Sequence, residues 1–281
     1  SIKTNGDENV TITVGGWPSD NRPKAQEEYA KYLERYNQKY PNITVLKDEW
    51  SFSVDTFLPK AASGQLPTVF YVPYTEVDKL IESGYTADIT KFMQSYGFTE
   101  NIKKEILDLV TRDDKIYMLP IEAYVMGLFA NQKLFEEAGE LDKDGNVKYP
   151  KTFEELGELA QRIKQKTGKP GFIMPTMKNV GGWHFMNIAW SYGTEFMKQE
   201  NGKWIATFNS PECAAALQFV KELKWKYNAL SDNILIDNDE MQKMFATNQG
   251  AMHFSAPSDF ALEKLSSMYK MDKNNISIGL I

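Results

Sequence analysis

Three aromatic side chains fall where the first extended segments of the chain should end: Trp17, Trp50 and Tyr74. Their flat apolar faces can pack against the C–H face of a pyranose ring, whose rim of hydroxyls needs planar polar partners. Asp20, Glu49 and Glu122 are candidate acceptors for such a rim. Placement matters because ligands of open parallel sheets bind beyond the carboxyl ends of the strands. Each residue also has a plainer role open to it. The aromatics could close the edges of a core, Asp20 could serve the helix entry near Pro23, and Glu49 could be a solvated charge. A fourth group, Gly181-Gly182-Trp183-His184, could present an indole at a helix start, or form a turn around a packed tryptophan.

Other chemistries find little support. His184 and His253 are the two histidines, and neither has a metal ligand at a useful spacing. There is no phosphate-binding glycine loop, no Gly-x-Ser-x-Gly elbow and no dinucleotide fingerprint, so neither a cofactor nor a catalytic set is expected. A glycosidase would need two carboxyls flanking the scissile bond, drawn from Asp20, Glu49, Glu122 and Asp259. Cys213 is the sole cysteine and, beside three alanines, reads as helix interior.

The elements around these residues alternate. Residues 10–14 have a strand's period of two, and Ala25, Tyr29, Leu33, Tyr36 and Tyr40 then fall on one helical stripe. Strands over 43–50 and 68–72 and helices over 54–64 and 75–84 follow. A second series begins with strands at 114–120 and 127–131. Thr152 and Glu155 form a capping box, Gly168 and Pro170 stop that helix, and Ser210-Pro211 opens another. This order predicts an α/β fold with a mostly parallel sheet in each of two lobes, in keeping with a length of 281 residues.

The bulk properties narrow the partners. With 42% hydrophobic and 25% charged residues the chain is of ordinary globular composition. A net charge of −6, spread without basic stripes, argues against nucleic acid or anionic membrane as a partner. The longest apolar runs are far shorter than the ~20 residues that span a bilayer. The polar opening residues lack a signal core, so an export signal or lipid-anchored cysteine is expected upstream.

Several segments, in order, resemble the carbohydrate-binding family of extracellular solute-binding proteins of ATP-binding-cassette importers, which includes maltose-binding protein. They are residues 11–17 (TITVGGW), 66–70 (LPTVF), 114–120 (DKIYMLP), 128–139 (LFANQKLFEEAG), 149–156 (YPKTFEEL) and 245–252 (FATNQGAM). The resemblance implies a monomeric, non-catalytic, secreted receptor, lipid-anchored or periplasmic. Its two hinged lobes would close on an oligosaccharide and deliver it to a membrane permease. It implies chain crossings near Leu119, Pro120 and Ile121 and near His253, so that residues 1–119 with 254–281 form the first lobe and 120–253 the second. Relatives continue past 281, so a further part of the second lobe is expected there. By position in the matching motifs, Trp17, Asp20, Glu49, Trp50, Tyr74 and Thr75 fall on first-lobe ligand loops. Glu122 and Tyr124 follow the hinge, Trp183 and His184 lie on a second-lobe loop, and Ser258 and Asp259 follow the second crossing. Where the family usually has glycine this chain has Asp114 and Asn248, the residue types best able to adopt left-handed backbone. A hydrolase, or the same fold holding a cation such as a polyamine, remain the rival readings.

Overall fold

The computed structural model describes residues 8–177 and 180–280, without the side chains of residues 259 and 260. The chain divides into two compact units, 1–123 and 124–281.

In the first unit β1 (Val10–Val14), α1 (Pro23–Lys39), β2 (Ile43–Lys47) and α2 (Val54–Ala62) follow one another. Then come α3 (Val77–Glu82), α4 (Thr90–Ser95), α5 (Phe98–Asn101), α6 (Lys104–Leu109), β3 (Thr111–Arg112) and β4 (Lys115–Ile116). β1 and β2 pair in parallel, from Val10 opposite Ile43 to Val14 opposite Lys47. The strand expected at 68–72 is reduced to one parallel bridge, Val14 to Val69. Pro67 and Pro73 flank it, and neither can donate to a ladder. On α1 the expected stripe is the face turned inward: Ala25 is buried, and Tyr29, Leu33 and Tyr36 are half-buried. Phe57, Ala61 and Leu80 form one core, Val77, Met93, Val110 and Ile116 another. The β3–β4 hairpin turns on Asp113 and Asp114, both left-handed (φ 49° and 59°), as a two-residue turn compatible with strand twist demands.

The second unit comprises β5 (Gly127–Asn131), α7 (Gln132–Ala138), α8 (Phe153–Thr167), α9 (Val180–Ser191), β6 (Met197–Glu200) and β7 (Lys203–Ala206). It continues through α10 (Pro211–Trp225), α11 (Asn238–Ala246), β8 (Met252–Ser255), α12 (Asp259–Glu263) and β9 (Ile276–Gly279). Every residue of β5 is buried, and β8 and β9 flank it. Leu156, Leu159, Ala160 and Ile163 of α8 pack in the large core with Phe172, Phe219 and Leu223. Thr152 Oγ1 accepts from Glu155 N at 3.1 Å, and Glu155 answers by accepting from Lys151 N at 2.7 Å, one residue before the cap. Ser210 caps α10 with Pro211 at its first turn, and Cys213 is buried inside that helix.

Two expectations are corrected here. Both described pairings of β5 are antiparallel, so parallel pairing is found only between β1 and β2 and at the Val14–Val69 bridge among the described residues. Residues 254–281, expected in the first lobe, belong to the second unit, because β9 pairs with β5 from Leu128 opposite Gly279 to Asn131 opposite Ile276. Tyr149 fixes this strand, donating from its hydroxyl to Ser277 Oγ at 2.8 Å while its ring covers Gly279, where a Cβ would stand 2.7 Å from ring carbons.

Candidate functional site

In the first unit, backbone bonds at the carboxyl ends of β1 and β2 tie the following loops together. Gly15 N donates to Val69 O at 2.8 Å, Gly16 N to Trp50 O at 2.7 Å and Trp17 N to Asp48 O at 2.9 Å. Trp17 is thereby held half-buried, edge-on to Tyr29 with ring centroids 5.2 Å apart. The Tyr29 and Tyr71 hydroxyls share a hydrogen bond of 3.0 Å. Burial and that bond push the Tyr29 phenol well above its ordinary range. Tyr71, half exposed, lies against Gly16, whose absent Cβ would meet its ring at 3.1 Å. The Lys47 ammonium stands 5.1 Å from the Trp17 ring centroid, within cation–π range. Tyr29 and Tyr71 were not among the sequence candidates. The only signal for Tyr71 was its place beside a predicted strand end.

The other first-unit candidates separate by exposure. Asp20 is exposed and accepts from Gln26 Nε2 at 3.0 Å. Glu49, Thr75 and Glu122 are exposed. Tyr74 is half-buried and donates to Glu122 O at 3.2 Å; burial and the nearby Glu122 charge raise its phenol. Trp50 packs inward against Phe70 (5.8 Å) and donates through Nε1 to Thr56 Oγ1 at 3.2 Å, with Lys60 over its ring at 5.3 Å. Much of that indole is therefore committed to the first unit's core.

In the second unit Tyr124 is exposed, and Trp183 is 37% exposed on α9. His184, expected to face ligand, is corrected: it is 3% exposed, with its ring turned into the unit. The expected loop is the first turn of α9, and on a helix adjacent side chains point about 100° apart, so Trp183 outward puts His184 inward. Ser258 Oγ accepts from Ala261 N at 3.2 Å, an N-cap role that uses one of its lone pairs. Asp259 opens α12, and its side chain lies outside the described residues. A cavity of about 260 Å³ is lined by Met126, Phe153, Asn187, Trp190, Ser191 and Leu280, among others. Asn187, Trp190 and Ser191 follow Trp183 at four, seven and eight residues, one face of α9, a spacing readable in the sequence but not singled out.

No group of three or more His, Cys, Asp or Glu among the described residues could hold a metal ion. No described helix is long and apolar enough to cross a membrane.

Residues 20–276 match the family described as bacterial extracellular solute-binding protein. The lactose-binding protein of Rhizobium radiobacter is 25% identical over 191 residues, 62% of this chain and 43% of that protein. The chain thus spans less than half the length of this relative. A solute-binding protein from Thermotoga lettingae bound with alpha-D-tagatose superposes with a TM-score of 0.78 at 23% identity, covering 97% of this chain and 67% of that one. A maltose-bound T. maritima protein gives a TM-score of 0.77 at 22% identity, covering 96% and 66%. These neighbours share the two-lobed fold.

Proposed function

Because the chain belongs to the bacterial extracellular solute-binding protein family, we propose that it is a carbohydrate receptor, taking an oligosaccharide and passing it to the membrane permease of an ATP-binding-cassette importer. It acts outside the cell as a monomer, anchored by lipid or held in a periplasm. The observation that carries the sugar reading is the Trp17–Tyr29–Tyr71 group beside the strand ends: Trp17 held by a loop hydrogen bond, Tyr29 on α1 edge-on to it, and Tyr71 bonded to Tyr29, with Asp20 nearby in sequence. Stacking surface beside polar groups suits pyranose rings. Trp183 and Tyr124 offer a comparable exposed aromatic surface on the second unit. Glu49, Thr75 and Glu122 are exposed and available for hydroxyls.

The rival readings have less support. A cationic solute would compete with Lys47, which already stands over the Trp17 ring. A hydrolase needs an acid held protonated by an apolar pocket, whereas Asp20, Glu49 and Glu122 are all solvent-exposed. The family is one of binding proteins rather than enzymes.

A panel of oligosaccharides screened by thermal shift tests the reading. A ligand at ~100 times its dissociation constant should stabilise by about 2.7 kcal/mol and be recovered at its original length. Trp183→Ala should weaken binding several-fold by calorimetry with an unchanged melting temperature of the free protein. Shortened sugars, or no stabilisation by any glycan alongside stabilisation by polyamines, would refute it. Trp50→Ala is expected to lower the stability of the free protein as well, because its ring fills core space against Phe70.

A further inference from the structure

His253 sits in β8, opposite Phe129 of β5, with no exposure. Its ring lies 5.2 Å from Phe129 and 4.6 Å from Phe245 of α11. Nδ1 is 3.1 Å from Phe254 O, so it carries the proton and donates, leaving Nε2 a bare acceptor. That Nε2 is buried without a partner, and so is Nε2 of His184 on α9. A buried imidazole acceptor with no donor is a costly arrangement that a proton would change. His184 also touches the surface indirectly, since its ring meets the Trp183 indole edge-on at 5.2 Å.

Among the described residues, burial is the cause that acts on His184, with no charged partner beside it. β5 presents Phe129, and α11 presents Met241, Gln242 and Phe245 inward while Asp239, Glu240 and Lys243 are exposed. On α10, which packs on α9, Glu222 pairs with Lys226 and Lys224 donates to Ser231 O, while Glu212 and Lys221 are exposed. Burial lowers the His184 imidazole to about 4. Burial chiefly lowers His253 to about 3, opposed by its bond to Phe254 O and reinforced slightly by His184.

We propose that His184 is a proton-operated catch. Neutral, it seats the first turn of α9 on the second unit's core; charged, it cannot stay buried, and its departure re-orients Trp183. His184 Nε2 has no partner to take up a second ring proton, so the catch opens on the first one. The lowered values set the sign: both groups favour the folded state fully above the unfolded histidine value near 6.5, and the contribution is lost as pH falls through about 4 for His184 and about 3 for His253.

The test needs no ligand and is separate from the carbohydrate reading. The His184 Cε1–H and the Trp183 indole N–H resonances are followed by NMR from pH 7.5 to 3.5. Both should move together, reversibly, with a midpoint well below 6, and His184→Phe should abolish the Trp183 transition. If that variant does not fold, His184→Gln serves, and the wild-type co-titration stands alone. A His184 midpoint near 6.5, a Trp183 resonance that ignores it, or a transition that survives the substitution overturns the proposal.

Discussion

Gly171→Ala is expected to cost the second unit more than about 3 kcal/mol, enough to leave much of the protein unfolded or insoluble at 37 °C. Gly171 begins a fully buried extended segment, 171–175, laid across α8. Its N–H donates to Ala229 O at 2.9 Å, and two residues on Ile173 N donates to Met252 O at 2.8 Å, so both ends of the approach are fixed. A Cβ at 171 would stand 2.0 Å from Ala160 O and 2.4 Å from its carbonyl carbon. That wall is mid-helix backbone, and shifting it would displace Leu159, Ala160 and Ile163, all buried in the main core. Relief by a side-chain rotation is not available, unlike at Gly250, where the nearest atoms belong to the Ile173 side chain. Gly182→Ala is the control. Nothing lies within 4 Å of that Cβ, and inside α9 alanine should be favoured over glycine by about 0.5–1 kcal/mol. Melting curves of the two variants should therefore move in opposite directions. A Gly171→Ala protein melting with the wild type would contradict the described contact of this segment with α8.

The features legible in the sequence are those set by nearby residues. β5 runs over 127–131, the range read from the sequence, and Thr152 and Ser210 cap α8 and α10 as their spacing requires. Asp114 and Asn248 are both left-handed (φ 59° and 57°), as expected of short polar side chains standing in for glycine. What was not legible depends on contacts between distant residues. Tyr29 and Tyr71 are 42 residues apart and meet through their hydroxyls, and no local pattern marks either as half of a pair. Trp50 stands at a strand end, as Trp17 does, yet turns to Phe70 and Thr56 because α2 offers a hydroxyl to its indole N–H. The Gly-Gly pair before Trp183 reads as a loop, which leaves both Trp183 and His184 facing outward; only the helical spacing of α9 separates them. The return of 276–279 to β5 was hidden as well: four residues of alternating Ile with Ser and Gly fit an edge strand in either unit.

Asn131→Ala is expected to cost about 2 to 4 kcal/mol, combining a lost helix cap with buried polar groups left short of a partner. The side chain is fully buried at the junction of β5 and α7. Its Oδ1 accepts from Leu134 N at 3.1 Å, capping α7. Its Nδ2 donates to Phe245 O at 3.0 Å and to Asn248 Oδ1 at 2.8 Å, at the end of α11. One amide thus joins the start of one helix to the end of another across the central strand, and no water can replace it without opening the core. Asn131→Asp separates the two contributions. The carboxylate keeps the cap acceptor but faces two oxygens with no proton to offer, so near neutral pH it should be no more stable than the alanine variant. Denaturant unfolding at pH 7 measures both. A loss under about 1 kcal/mol in Asn131→Ala would mean that the cap alone matters. An Asp variant as stable as wild type would mean that the bonds to Phe245 and Asn248 contribute nothing to holding the end of α11 against β5.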